Sequence, residues 1–233
     1  MGRFSKFIFA FVTSAAATIG IAWADDYYYG NNAPPRTIII GIDLSTSNPL
    51  IMDDQFAAKV ASRIGGMITG LSPRSRLVLR SFGTYDSSAN ATMNLDILIA
   101  PKTARAEDMA QLVTQVIAGV PQLVRSGKLR AQNSTNIIAF LDNMAATVDC
   151  RTQQATVILA SDGVEDSRLA NLSRGGSTLP RPSRAIFAGC DQLYIFGLAQ
   201  GMHDPRQTQR LRDEWSGWAA AAGFKSFTGL NDW

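Results

Sequence analysis

The sequence predicts an α/β domain with a mostly parallel sheet of about six strands, one antiparallel edge strand and helices on both faces. Three observations carry that prediction. The runs Thr37 to Ile42 and Thr156 to Ala160 are apolar and β-branched with no polar alternation, as in strands covered on both faces. Stretches with apolar residues at helical spacing separate the strand-like runs, the pattern of repeated strand–helix–strand units. The run Met93 to Ile99 does alternate, with Asn94 and Asp96 between Met93, Leu95 and Ile97, which suits an antiparallel edge.

Taken in order, the first strand ends at Asp43-Leu44-Ser45-Thr46-Ser47, and Asn48-Pro49 punctuates the chain. Asp53 and Asp54 fall in the first turn of a helix, where acids complement the dipole, and Phe56, Val60, Ile64 and Ile68 form its apolar face. Arg76 to Gly83 is the second strand, Tyr85 to Asn90 a polar loop, and Met93 to Ile99 the edge strand. A long helix spans about Ala104 to Ser126, which Pro121 must kink or restart. Gln132 to Thr135 opens the next helix, with Ile138, Leu141 and Met144 on its inner face. After the strand ending at Ala160, a short helix is expected around Glu165 to Leu172, then a loop rich in Gly, Pro and Arg (Arg174, Arg181, Arg184). Leu193 to Leu198 is a strand. Asp204-Pro205 starts a helix that carries Trp215 and Trp218 as packing residues and stops at Gly223. Lys225 to Thr228 is a short last strand.

The N-terminus reads separately. Arg3 and Lys6 precede an apolar stretch, Phe7 to Ile21, and Ala22-Trp23-Ala24 is a small-residue cleavage site, so residues 1–24 are expected to be a signal peptide. The alternative is an uncleaved anchor, since Phe7 to Ala24 is long enough to approach a membrane span. Residues 25–36, with three tyrosines and two prolines, form a leader, and 37–233 the domain. The whole chain has 22 basic and 19 acidic side chains; without Arg3 and Lys6 the balance is 20 to 19. A mature charge of +1 removes the basic field that nucleic acid would require. Cys150 and Cys190 are the only cysteines, and an even number in an exported chain is read as a disulfide; two buried free thiols are the alternative. Their spacing fits no zinc motif, and the single histidine, His203, could not complete one.

The candidate chemistry lies where strands end. Asp43, Ser45 and Ser47 offer hard oxygen donors, suited to Mg²⁺ with Mn²⁺ or Ca²⁺ as alternatives. Thr135, at a helix entry, and Asp162, after the Thr156 to Ala160 strand, are expected on the same sheet edge. D-x-S-x-S, then Thr in S-T-N-I, then Asp in S-D-G, in that order, resemble the metal-ion-dependent adhesion site of the von Willebrand factor A (vWA) family, here as a bacterial exported member with a Rossmann-like vWA fold. The resemblance covers about residues 37–230. It implies that Ser45, Ser47 and Thr135 bind a divalent ion, with Asp43 and Asp162 reaching it through water or directly, and that a partner's Asp or Glu completes the shell. Two carboxylates converging on one edge repel unless a cation sits between them.

The reading that follows is an exported module, periplasmic or secreted, that docks a protein partner through a metal-bridged carboxylate, with Gln200, Met202 and His203 as a candidate recognition rim. The alternatives are a metal-assisted hydrolase at the same cluster and a metal-free structural domain. Against an enzyme stand the lack of a histidine at the cluster, of a G-x-S-x-G elbow and of a P-loop, since Leu129 follows Gly127-Lys128.

Overall fold

The computed structural model describes residues 33–84, 93–174 and 176–233. The signal-peptide reading of 1–24, most of the leader and the polar loop at Tyr85 to Asn90 lie outside the described residues. Strand β1 is Arg36–Asp43, so the first residue of the domain's sheet is one earlier than the leader boundary implied. A 3₁₀ turn, Pro49–Ile51, leads to α1, Asp54–Thr69. Then come β2, Arg76–Phe82, and β3, Asn94–Leu98. Helices α2, Ala106–Ala118, and α3, Val120–Arg125, follow, then α4, Ile137–Ala145. The remaining elements are β4, Gln154–Ala160; β5, Gln192–Phe196; α5, Pro205–Ala222; and β6, Ser226–Leu230.

Local chemistry explains the boundaries. Asp53 is the N-cap of α1 and not a first-turn residue: its carboxylate accepts the amides of Gln55 and Phe56 at 2.9 and 3.0 Å, worth about 1 kcal/mol. The long helix expected from Ala104 to Ser126 is two helices, because Pro121 lacks an amide to continue the ladder and restarts the chain as an early residue of α3. Asp204 caps α5, and Gly223 ends it in a left-handed conformation.

The six strands lie in the order β3-β2-β1-β4-β5-β6, parallel except for β3, which runs antiparallel to β2. This is a mixed α/β, Rossmann-like architecture. Register places Ile40 between Leu79 of β2 and Ile158 of β4. One core, against α1 and α2, takes Ile38, Ile40 and Ile42; the other, against α4 and α5, takes Ile39, Val157 and Leu159. Burial on both faces is why β1 and β4 show no polar alternation. Gly41 sits where α4 comes closest to the sheet: a Cβ there would stand 2.7 Å from the Phe140 ring and 2.9 Å from Leu159.

A disulfide joins Cys150 to Cys190, just ahead of β4 and β5, with Cα atoms 4.8 Å apart. It therefore ties the edge at which the parallel strands begin. The strand order reverses between β1 and β4, which opens a crevice at the other edge, where these strands end. Among the described residues, no helix is long and apolar enough to cross a membrane.

Candidate metal centre

The end of β1 is built by its own side chains. Asp43 is fully buried; one carboxylate oxygen accepts the Ser45 amide at 2.8 Å and the other accepts the Ser161 hydroxyl at 2.6 Å. The side-chain amide of Asn48 donates to the carbonyls of Asp43 (2.8 Å) and Ala160 (3.1 Å), which fixes the last turn of β1 against the end of β4. Ser45 and Ser47 bring their hydroxyls to 3.3 Å from each other. Ser45 is buried, whereas Ser47 is exposed.

Asp162 follows β4 by two residues and is buried. Its carboxylate accepts the Val164 amide at 2.9 Å and the Ser47 hydroxyl. The loop is held from behind: the Trp215 indole donates to the Gly163 carbonyl at 2.7 Å, and Gly163 takes a φ of 76°, which favours glycine. Trp215 is thus a packing residue, as the helical pattern suggests, that also anchors the Asp162 loop.

Hydrogen bonds and charge thus chain Asp43, Ser45, Ser47 and Asp162 into one group. Thr135 enters through its backbone. Its segment pairs on one side with the Asp43 loop, where Gln132 donates to Leu44 O and accepts from Thr46 N–H, both at 2.8 Å. On the other side Thr135 and Asp166 exchange amide–carbonyl bonds at 3.0 Å in each direction. Thr135 is itself buried, one residue before the N-cap Asn136 of α4.

The helix expected around Glu165 to Leu172 is absent; the segment is turns and bridges. Its polar side chains compete for the backbone. Glu165, placed by the sequence at the start of that helix, is fully buried and accepts the Ile137 and Ile138 amides of α4 at 2.7 and 3.1 Å. It caps a helix whose own N-cap, Asn136, makes no side-chain cap bond. The signal for it is weak: a Glu near a strand end reads the same whether exposed or buried. Ser161, Asn48 and Gln132 also support the site without a sequence signal for that role; of the three only Ser161, the first residue of S-D-G, lies inside a recognised motif.

The electrostatics are those of a buried carboxylate pair. Burial, and then the Asp162 charge, push Asp43 up to about 7 against the hydrogen bonds from Ser161 and Ser45. Burial also raises Asp162, opposed by the Val164 amide and the Ser47 hydroxyl. Among the described residues, none of the ion pairs involves either carboxylate. Also among them, no cluster of three His, Cys, Asp or Glu side chains forms, so an ion here would depend on hydroxyl donors. Two buried acids hydrogen-bonded with Ser45 and Ser47 fit a hard divalent cation in chemistry and charge, while Thr135 is tied to the neighbouring Asp166 segment through its backbone alone.

The rim residues leave the end of β5. The Ala199 amide donates to Asp162 O at 2.8 Å, which brings this loop beside the site. Gln200 is half-buried, Met202 packs against the α4–α5 core and His203 is exposed, so Gln200 and His203 are the more available of the three.

No family model matches the chain, and no curated protein matches its sequence. Among solved structures, the pilus adhesin SpaC from Lactobacillus rhamnosus GG superposes with a TM-score of 0.51 at 15% identity, over 87% of this chain and 29% of the adhesin. An aerotolerance-related membrane protein from Bacteroides fragilis NCTC 9343 gives 0.43 at 15% identity, over 84% of this chain and 92% of that one. The human COPII-coat protein Sec24c gives 0.41 at 11%, over 86% and 30%. The last two overlays are too loose to carry weight. The chain spans less than a third of the adhesin, and what the two share is an α/β fold.

Proposed function

We propose that this chain is an exported vWA-type binding module whose Asp43, Ser45, Ser47, Thr135 and Asp162 hold a divalent cation, Mg²⁺ first, and dock an Asp or Glu of a protein partner. The observation that carries this reading is the buried Asp43–Asp162 pair, linked through Ser45 and Ser47, at the crevice where the strand order reverses. A bound ion would supply a Lewis-acidic position for the partner's carboxylate. The protein's part is to present the donors: Asn48 and Ser161 lock Asp43, Val164 locks Asp162, and the bridges from Gln132 and Thr135 set the intervening segment. The fold likeness to a protein named as an adhesin supports a binding role, and the disulfide supports an oxidising compartment.

Isothermal titration with Mg²⁺ or Mn²⁺ tests the metal. One site is expected in the wild type, weakened at least about tenfold in Asp43→Ala and in Asp162→Ala. Unchanged affinity in both variants overturns the reading.

A further inference from the structure

On the face of the sheet that carries α1, the strands β5 and β6 are only partly covered: Tyr194 and Thr228 are half-buried and Ser226 is exposed. Leu193 and Ile195 of β5 belong to the core beneath α5, whereas Tyr194 and Phe196 belong to the α1 side. α1 turns Phe56, Val60, Ile64 and Ile68 into that core, so Lys59, Ser62, Arg63, Gly66 and Met67 lie along its flank. Between this flank, Tyr194 and Trp233 lies a groove of about 610 Å³, a size that suits a small molecule.

The groove has an aromatic floor. Tyr194, Phe196, Trp233 and Phe56 form a row with successive ring centres 5.4, 5.4 and 6.3 Å apart. Phe196 and Phe56 are buried, and Tyr194 and Trp233 are the half-buried members that meet the groove. A flat ring set against these two gains edge or offset contacts as well as burial. The charges point one way. Among the described residues no acid lines the groove, and its two ionised side chains are Lys59 and Arg63. Lys59 stands 5.8 Å over the Trp233 ring and is paired with Asp232, which lies outside the lining. Arg63 is in none of the ion pairs among the described residues. With Asp232 offsetting Lys59, one positive charge remains, which balances a monoanion and not a phosphate dianion. A guanidinium meets a carboxylate through two parallel hydrogen bonds.

We propose that this groove binds a small aromatic carboxylate, its ring against Tyr194 and Trp233 and its carboxylate on Arg63. The site is separate from the candidate metal centre, since none of the five proposed donors lines it. Gly66 keeps it open. A Cβ there meets nothing within 4 Å, whereas at Gly65 it would stand 2.3 Å from the Thr114 hydroxyl of α2. A larger side chain at position 66 therefore enters the groove and leaves the α1–α2 contact intact, with better helix propensity than glycine.

The test follows the indole N–H signals in proton–nitrogen correlation spectra, with the Trp233 signal assigned through Trp233→Phe. The probes are benzoate, its uncharged amide benzamide, and acetate, which lacks the ring. All titrations are run at matched ionic strength in EDTA, so the outcome does not depend on the metal reading. The Trp233 signal is expected to move saturably with benzoate, at least about threefold tighter than with benzamide or acetate. Arg63→Gln is expected to remove the advantage of benzoate over benzamide. Gly66→Leu, with its melting temperature unchanged or raised, is expected to abolish the response to both. No saturable movement up to about 20 mM benzoate overturns the site. So does benzamide or acetate binding as tightly as benzoate, an advantage that persists in Arg63→Gln, or a folded Gly66→Leu that binds like the wild type.

Discussion

Asp43 concentrates the electrostatic cost of the site. Its ordinary pKa is near 3.8 and burial with Asp162 raises it to about 7, so the folded chain holds a proton that the unfolded chain releases. Its contribution to stability is fully present below about 3.8 and is lost as pH rises through about 7. Without divalent ions, melting temperature is therefore expected to fall between pH 5 and pH 8, and Asp43→Asn to flatten that slope; a slope equal in the two proteins would contradict the assignment. A cation at the site must displace the same proton. Mg²⁺ affinity is then expected to weaken about tenfold for each unit of pH below 7, with proton release visible as buffer-dependent heat in calorimetry. The acids and hydroxyls of this group were legible in the sequence because each stands at a strand or helix end, where the element pattern fixes its edge. Their supports were not. Nothing local tells a buried Asn48 from a turn asparagine, since its role is to bond two carbonyls 5 and 112 residues away.

Elements were legible where one period dominates and illegible where side chains compete with the backbone. The unalternating runs gave β1 and β4, and alternation gave the antiparallel β3. The 165–172 segment failed for a physical reason: Leu169, Ala170 and Leu172 suggest a helical face, yet Ser167 donates to Glu165, Asn171 to Asp166, and Glu165 caps α4. Glu165 thereby fastens the loop that carries Asp162 to the helix that follows Thr135. Glu165→Ala leaves two buried amides, of Ile137 and Ile138, without their acceptor, a cost of about 3 kcal/mol. That corresponds to a fall in melting temperature of roughly 6–12 °C. The same variant is expected to weaken Mg²⁺ binding severalfold although Glu165 is not among the five donors, because the Thr135 segment loses its anchor. A variant that melts early yet titrates Mg²⁺ like the wild type would confine Glu165 to capping.

At the scale of the molecule, the sheet separates two devices. The Cys150–Cys190 bridge lies where β4 and β5 begin, and the acid–hydroxyl cluster lies where β1 and β4 end. The seven residues of β4 put them about 20 Å apart. Sites that far apart and without shared partners contribute additively. The bridge closes a separation of 40 residues, worth about 4 kcal/mol in the chain-entropy account, so Cys150→Ser with Cys190→Ser is expected to lower the melting temperature by roughly 8–16 °C. A cation that binds only the folded chain adds about 2.7 kcal/mol at a hundred times its dissociation constant, whether or not the bridge is present. Four melts decide the matter: wild type and double serine variant, each with saturating Mg²⁺ and with EDTA. The Mg²⁺ increment is expected to be equal in both proteins once the heat of unfolding is taken into account. An increment that vanishes with the bridge would mean that β4 passes strain from one edge to the other, and that the crevice depends on the disulfide for its shape.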